Sequence, residues 1–343
     1  MSLLVTNLLK CGSETLNRYK KCTDEAFPGA VEWDFPITDQ FIALAEPHLG
    51  EDGEDGIRVV ISSGVVDRLT DAWNAAMEYS GQSSDPHFLN VGDVDEAIER
   101  SMHWLMLHEL HHFQMGHFKL KGGMGLVETS QSVAYSLASR SESDTPSLIE
   151  ALPPEERKPA ERCLELQADH DTIDMMLDGY SNTNWPELRF LAACNFMIMI
   201  LIEQEEQIAK SNLTRTHPKA ATRIFQLLGH LASMYLIPAK IKAQEKGLAR
   251  IDPNDLPPDE EIAAFQTEVV YPAFADAALI AKANSADAIV RELGDFTDLI
   301  ADIGALQIPS DNVALKTEGA IEYAELEALN FKLMQMLDLP RYV

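Results

Sequence analysis

Hydrophobic positions along the chain change their period several times, and the changes mark out its elements. RVVI (58–61) is β-branched and continuous, SSG (62–64) turns, and from Val65 apolar residues recur at helical spacing, so a strand feeds a helix. The next helix is expected from Asp93 to about Gly116. Asp93 and Glu96 have the spacing of a capping box, and Asp95 and Glu99 suit the positive end of the helix dipole. Its apolar residues, among them Ala97, Met102, Leu105, Leu110 and Phe113, cover so much of the circumference that this helix belongs at the centre of the fold. Glycines 122, 123 and 125 break the chain before an expected helix at about 126–139. The polar, proline-rich stretch 139–161 reads as a surface excursion, with further helices at about 159–178, at 186–210 and from near Pro218. The pattern does not place the elements of the first fifty residues.

The apolar run Phe190 to Ile202 is 13 residues with Asn195 inside it, too short to span a bilayer of ~30 Å, and reads as a buried core helix. The N-terminus lacks a basic region followed by an apolar run, so no secretory signal is expected. Cys11, Cys22, Cys163 and Cys194 are scattered without CxxC spacing, which fits reduced thiols and a cytoplasmic location rather than a disulfide framework.

Charge changes the picture more than composition does. At 46% hydrophobic and 24% charged, the 343 residues read as an ordinary globular protein. The net charge of −28, however, repels phosphate backbones and anionic membrane surfaces, so neither nucleic acid nor membrane is expected as a partner. From Ile251 onward 18 acidic residues stand against 5 basic ones, so this quarter carries −13 of that charge. The chain therefore divides into residues 1–250 and an acidic helical extension, 251–343, a candidate surface for a regulatory partner.

The candidate chemistry lies in HELHHFQMGH (108–117), which holds four of the ten histidines. His108 and His112, one helical turn apart, project from one face and together can bind one cation. Glu109 lies about 100° around the helix, where a carboxylate reaches a metal-bound water without entering the coordination sphere and acts as general base. Zinc suits this arrangement, and a third ligand is needed. The glycine and histidine that a metzincin requires are each one residue out of place, at Gly116 and His117. If the helix continues, His117 points about 180° away from His108, so it is read as a neighbour, as are His111 and His103. The better third ligand lies in LELQADHD (164–171), where Glu165 and Asp169 are four apart. One carboxylate can then bind the metal while the other fixes a ligand histidine's tautomer.

These residues resemble the gluzincin metallopeptidases, and within them the group of CAAX prenyl proteases and bacterial heat-shock membrane metallopeptidases. The strand and turn VVISSGVVDRL, the segment E-x-x-A-D (Glu165, Ala168, Asp169) and H-P-x-x-x-x-R (His217 to Arg223) carry the likeness, over about residues 57–228. The chain lacks that group's transmembrane helices, and in its HExxH and downstream acidic motif it is similar to the soluble Lit-type peptidases, which cut a host protein in response to phage. The resemblance implies a mainly α (α+β), zincin-like catalytic domain with a small edge sheet, and a Zn2+-dependent peptidase acting on a protein substrate in a defence or regulatory role. It implies that His108, His112 and Glu165 ligate zinc, that Glu109 is the base and that Asp169 orients His108. His217 and Arg223 would stabilise the oxyanion or hold the site together. Substrate would add as a strand along an edge at Arg58 to Ile61.

Two other readings stay open. Glu109-x-x-His112 also satisfies the E-x-x-H of di-iron carboxylate bundles, although no second copy is found. A catalytically silent zinc protein that binds a partner would carry the same residues.

Overall fold

The structure is a computed structural model that describes residues 3–50, 52–82, 92–122, 126–127, 147–177, 179–208, 215–307 and 314–339. Helix α1 (Leu3–Thr23) precedes three strands, β1 (Ala30–Asp34), β2 (Ala43–Leu49) and β3 (Asp55–Ile61). Then follow α2 (Ser63–Gly81), α3 (Val94–Gln114), the single turn α4 (His117–Leu120) and the two-residue β4 (Leu126–Val127). The remaining helices are α5 (Pro154–Leu177), α6 (Trp185–Ile208), α7 (Ala220–Ser233), α8 (Ile237–Glu245), α9 (Asp259–Phe265), α10 (Tyr271–Ala283), α11 (Asp287–Leu293), α12 (Phe296–Gln307) and α13 (Glu318–Met336). The protein is thus mainly helical with one small sheet.

The sheet runs in the order β1-β3-β2-β4, with β1 parallel to β3 and the other pairs antiparallel. Strand β3 is therefore internal: Arg58 pairs with Glu32 on one side and Glu46 on the other. This corrects the expected substrate edge at Arg58 to Ile61, because from Arg58 to Val60 the strand already pairs with a neighbour on each side. The Arg58 side chain is ion-paired with Asp34 and, at 3.1 Å, with Glu46, which covers that face of the sheet with charge. Leaving β3, the chain turns tightly into α2. Gly64 lies so close to Gln40 that a Cβ would sit 2.3 Å from its carbonyl oxygen, so only glycine fits.

Helix α3 is central, packing on α1, α2, α5, α6 and the sheet. Asp93 caps it by accepting a hydrogen bond from the Asp95 N–H at 2.9 Å, and every residue from Ser101 to His112 is buried. Helix α6 is longer than its apolar run. Its 24 residues are long and apolar enough to cross a membrane, yet 72% of its most apolar window is buried inside the fold. The helix expected at 126–139 begins instead as strand β4, and its remainder lies outside the described residues. Helix α5 starts earlier than expected, with Pro154 and two glutamates in its first turn, and it accommodates Pro159 in its second turn, where the missing N–H costs one intrahelical bond.

The helices after residue 251 share the main core rather than building another. Phe265, Val270, Ile280, Leu299 and Leu333 belong to the same buried cluster as Trp104 and Phe196. Helix α13 packs across both α5 and α7. Its Glu322 is 7% exposed and accepts from Arg162 at 2.5 Å, from the Lys219 backbone N–H at 2.8 Å and from the Thr222 hydroxyl at 2.5 Å. That carboxylate thus sits at the positive N-terminal end of α7, where the dipole favours it.

Candidate active site

Three helices place the site. Helix α3 contributes His108, Glu109 and His112; α5 contributes Glu165 and Asp169; α7 contributes Arg223, with His217 in the segment just before it. All seven are buried, none more than 4% exposed. The His108 Nε2 lies 3.1 Å from Glu165 Oε2 and 3.2 Å from His112 Nε2, and His112 Nε2 is 3.7 Å from the same carboxylate oxygen. The two imidazoles expected from spacing and the Glu165 that the resemblance implied therefore come together. The His217 Nε2 approaches Glu165 Oε2 to 3.6 Å.

The far side of each histidine is held. The His108 Nδ1 is 3.0 Å from Asp169 Oδ1, which offers an acceptor for a proton on Nδ1; in that tautomer the Nε2 lone pair faces Glu165 and His112. Asp169 in turn accepts two bonds of 2.7 Å from Arg223, a bidentate pair sealed from solvent. Burial alone would raise the Asp169 pKa, but the Arg223 guanidinium and the His108 ring hold it below its usual value. Trp104, one turn before His108, stacks on that ring at 5.1 Å between centroids, and the Arg223 guanidinium lies 5.3 Å over the indole. Arg223 thus contacts both residues that flank the His108 ring, Asp169 and Trp104.

His112 is held by residues that spacing did not single out. Its Nδ1 is 2.8 Å from the Nδ1 of His117, whose Nε2 is 2.9 Å from Gln167 Oε1, and the Gln167 amide N–H donates to Asn330 Oδ1 at 2.6 Å. Since Gln167 presents its carbonyl to His117, that ring donates from Nε2. Burial lowers its pKa to about 3, so it is neutral and accepts the His112 Nδ1 proton. The lone pair of His112 Nε2 then also faces the cluster. His117 takes part because α3 stops: Gly116, at φ 74°, adopts the left-handed conformation and turns the chain back. The expectation that His117 points away assumed a continuous helix and is corrected here.

Two further residues complete the surroundings. Glu206, near the end of α6, lies 2.6 Å from His217 Nδ1. Although burial opposes ionisation, His217 and the hydroxyl of Thr216 hold the Glu206 carboxyl below its usual range. His111 lies away from the cluster with Nδ1 2.8 Å from the Leu107 carbonyl, and His103 packs 3.6 Å from Glu14; both are buried, and burial lowers both pKa values, that of His103 to about 4.

The donor set His108, His112 and Glu165 could hold one metal ion. A tetrahedral zinc with bonds of ~2.0–2.1 Å separates its ligand atoms by about 3.4 Å, within the spread seen here. Comparison with curated proteins and with solved structures returned no match. The family model described as Peptidase U49, however, matches residues 57–234, just over half of the chain and the span that contains every residue of the cluster. The chain is therefore a peptidase and belongs to the peptidase U49 family.

Proposed function

We propose that this peptidase is a zinc-dependent endopeptidase of the gluzincin type, with His108, His112 and Glu165 as its zinc ligands. One observation carries the reading: two imidazole nitrogens and a carboxylate oxygen converge at 3.1 to 3.7 Å, and on the far side of each ring Asp169 or His117 offers an acceptor for the histidine proton. With both ring protons on the far side, the converging lone pairs repel unless a cation lies between them. Bound there, zinc would supply a water of lowered pKa and polarise the scissile carbonyl. Glu109 takes the proton of the attacking water and delivers it to the leaving amine. His217, held at Nδ1 by Glu206, presents Nε2 toward the same region and donates to the oxygen on which negative charge develops. Asp169 fixes the His108 ring, and Arg223 fixes Asp169.

One carboxylate and two imidazoles favour a single zinc over a di-iron pair, which needs several carboxylates. The substrate is a protein cut in the cytoplasm, in a defence or regulatory role like that of the Lit-type peptidases, and the acidic region after residue 251 is a surface on which a partner could regulate it. Replacing Glu109→Gln tests the mechanism and separates an enzyme from a silent zinc protein. New protein N-termini generated in cells by the native protein are mapped, and one such peptide is then used as substrate. The variant is expected to keep its metal while turnover drops by about 10²–10⁴-fold. Unchanged turnover would contradict the role given to Glu109.

A further inference from the structure

Away from the site around His108, helices α5 and α7 bring together a second group of donors. His170 and Asp174 are one turn apart on α5, and His230 reaches them from α7. The His230 Nδ1 is 3.1 Å from Asp174 Oδ1, and the His170 Nδ1 is 3.9 Å from Asp174 Oδ2. The two rings stand nearly perpendicular with centroids 6.1 Å apart, and one donor atom from each of the three residues falls within 4.8 Å of the others. Asp171, 3.4 Å from the same His170 nitrogen, adds negative charge. A third such group, Glu14, Glu99 and His103, differs because Lys10 already supplies its cation, 3.3 Å from Glu14 and 3.9 Å from Glu99.

We propose that His170, Asp174 and His230 form a second metal site, which takes a divalent transition ion such as Zn2+ and is separate from the site around His108. Two imidazoles and one carboxylate are a borderline donor set that suits zinc. These side chains form one wall of a cavity of about 850 Å³, also lined by Ser233, Ile237 and Lys240, which leaves room for water on the open side of the ion. The three donors come from two helices, so an ion there staples α5 to α7. His170 directly follows Asp169, and His230 lies two turns beyond Arg223. The staple therefore grips the same helix pair whose Asp169–Arg223 contact orients His108, and occupancy stiffens that contact. The inference stands whether or not the first site holds zinc.

The test is equilibrium dialysis of the full chain against excess Zn2+, followed by elemental analysis of native protein, Asp174→Asn, His230→Ala and Glu165→Ala. Two zinc ions are expected in the native chain and one in each variant. If Asp174→Asn and His230→Ala keep the native zinc content while remaining folded by circular dichroism, the second site is wrong. A single zinc lost only in Glu165→Ala would also overturn it, whereas a single zinc lost only in the Asp174 and His230 variants would uphold it and overturn the first. Asp174 is 48% exposed, so its variant keeps the fold even where His230→Ala does not. As a second readout, Zn2+ should raise the melting temperature of Glu165→Ala but not of the Glu165→Ala/Asp174→Asn double variant.

Discussion

Two parts of the molecule are rich in carboxylates, and they use them differently. Around His108 the carboxylates Glu109, Glu165 and Asp169 are at most 4% exposed, and Asp169 is locked by a bidentate arginine. In the acidic region after residue 251, Lys316 pairs with Asp298 between side chains 53% and 34% exposed, and Lys332 reaches back to Glu156 on α5 between side chains 45% and 33% exposed. Solvent and salt screen such surface pairs, while the Asp169–Arg223 pair is sealed from both. Much of the excess acid therefore marks solvated surface, with buried exceptions such as Asp276, held by Arg189 in a bidentate pair, and the few carboxylates that organise the site are a small minority of the 55.

Removing one partner at a time sharpens this contrast. Arg223→Ala leaves Asp169 buried and uncompensated, and is expected to cost about 3–5 kcal/mol in a denaturant melt. A loss below about 1 kcal/mol would mean that the pair is surface-like despite its burial. Glu322, the carboxylate that ties α13 onto α7, falls between the two extremes. Glu322→Gln should cost about 1.5–3 kcal/mol, because charge-assisted bonds to Arg162, to the Lys219 N–H and to Thr222 are weakened. Burial pushes its pKa up, but Thr222 and the arginines Arg215 and Arg162 outweigh that and hold it below the ordinary value of 4.5. Its stabilisation is therefore fully present above pH 4.5 and is lost as pH falls through the lower folded-state value. The variant should show a flatter acid limb in that window, and an unchanged limb would remove Glu322 from the account. Lys332→Ala should shift stability by less than about 1 kcal/mol.

What could be read from the sequence follows from how each contact is made. His108 and His112, or Glu165 and Asp169, are four apart on single helices, so a period of 3.6 places each pair on one face without reference to the rest of the fold. The central position of α3 was equally visible, because apolar residues around most of its circumference leave no face for water. His117, Gln167, Glu206 and Asn330 reach their partners through a left-handed turn at Gly116 or across helix packings, which no local period encodes. The three residues Met115, Gly116 and His117 carried the one available signal, since a glycine so near the end of an amphipathic helix favours termination. The internal place of β3 was likewise hidden, because β1 lies among the first fifty residues, whose pattern placed no element, and strand order depends on pairing between distant segments. Glu322 reads in sequence as one more acid in an acidic helix, and only the docking of α13 gives it its partners.

The central claim, a metal held by His108, His112 and Glu165, is tested most directly by elemental mass spectrometry of native protein and Glu165→Ala, both purified without chelator. The account predicts zinc in the native protein and one zinc fewer per chain in the variant. Equal zinc in the two, or none in the native protein, would contradict it.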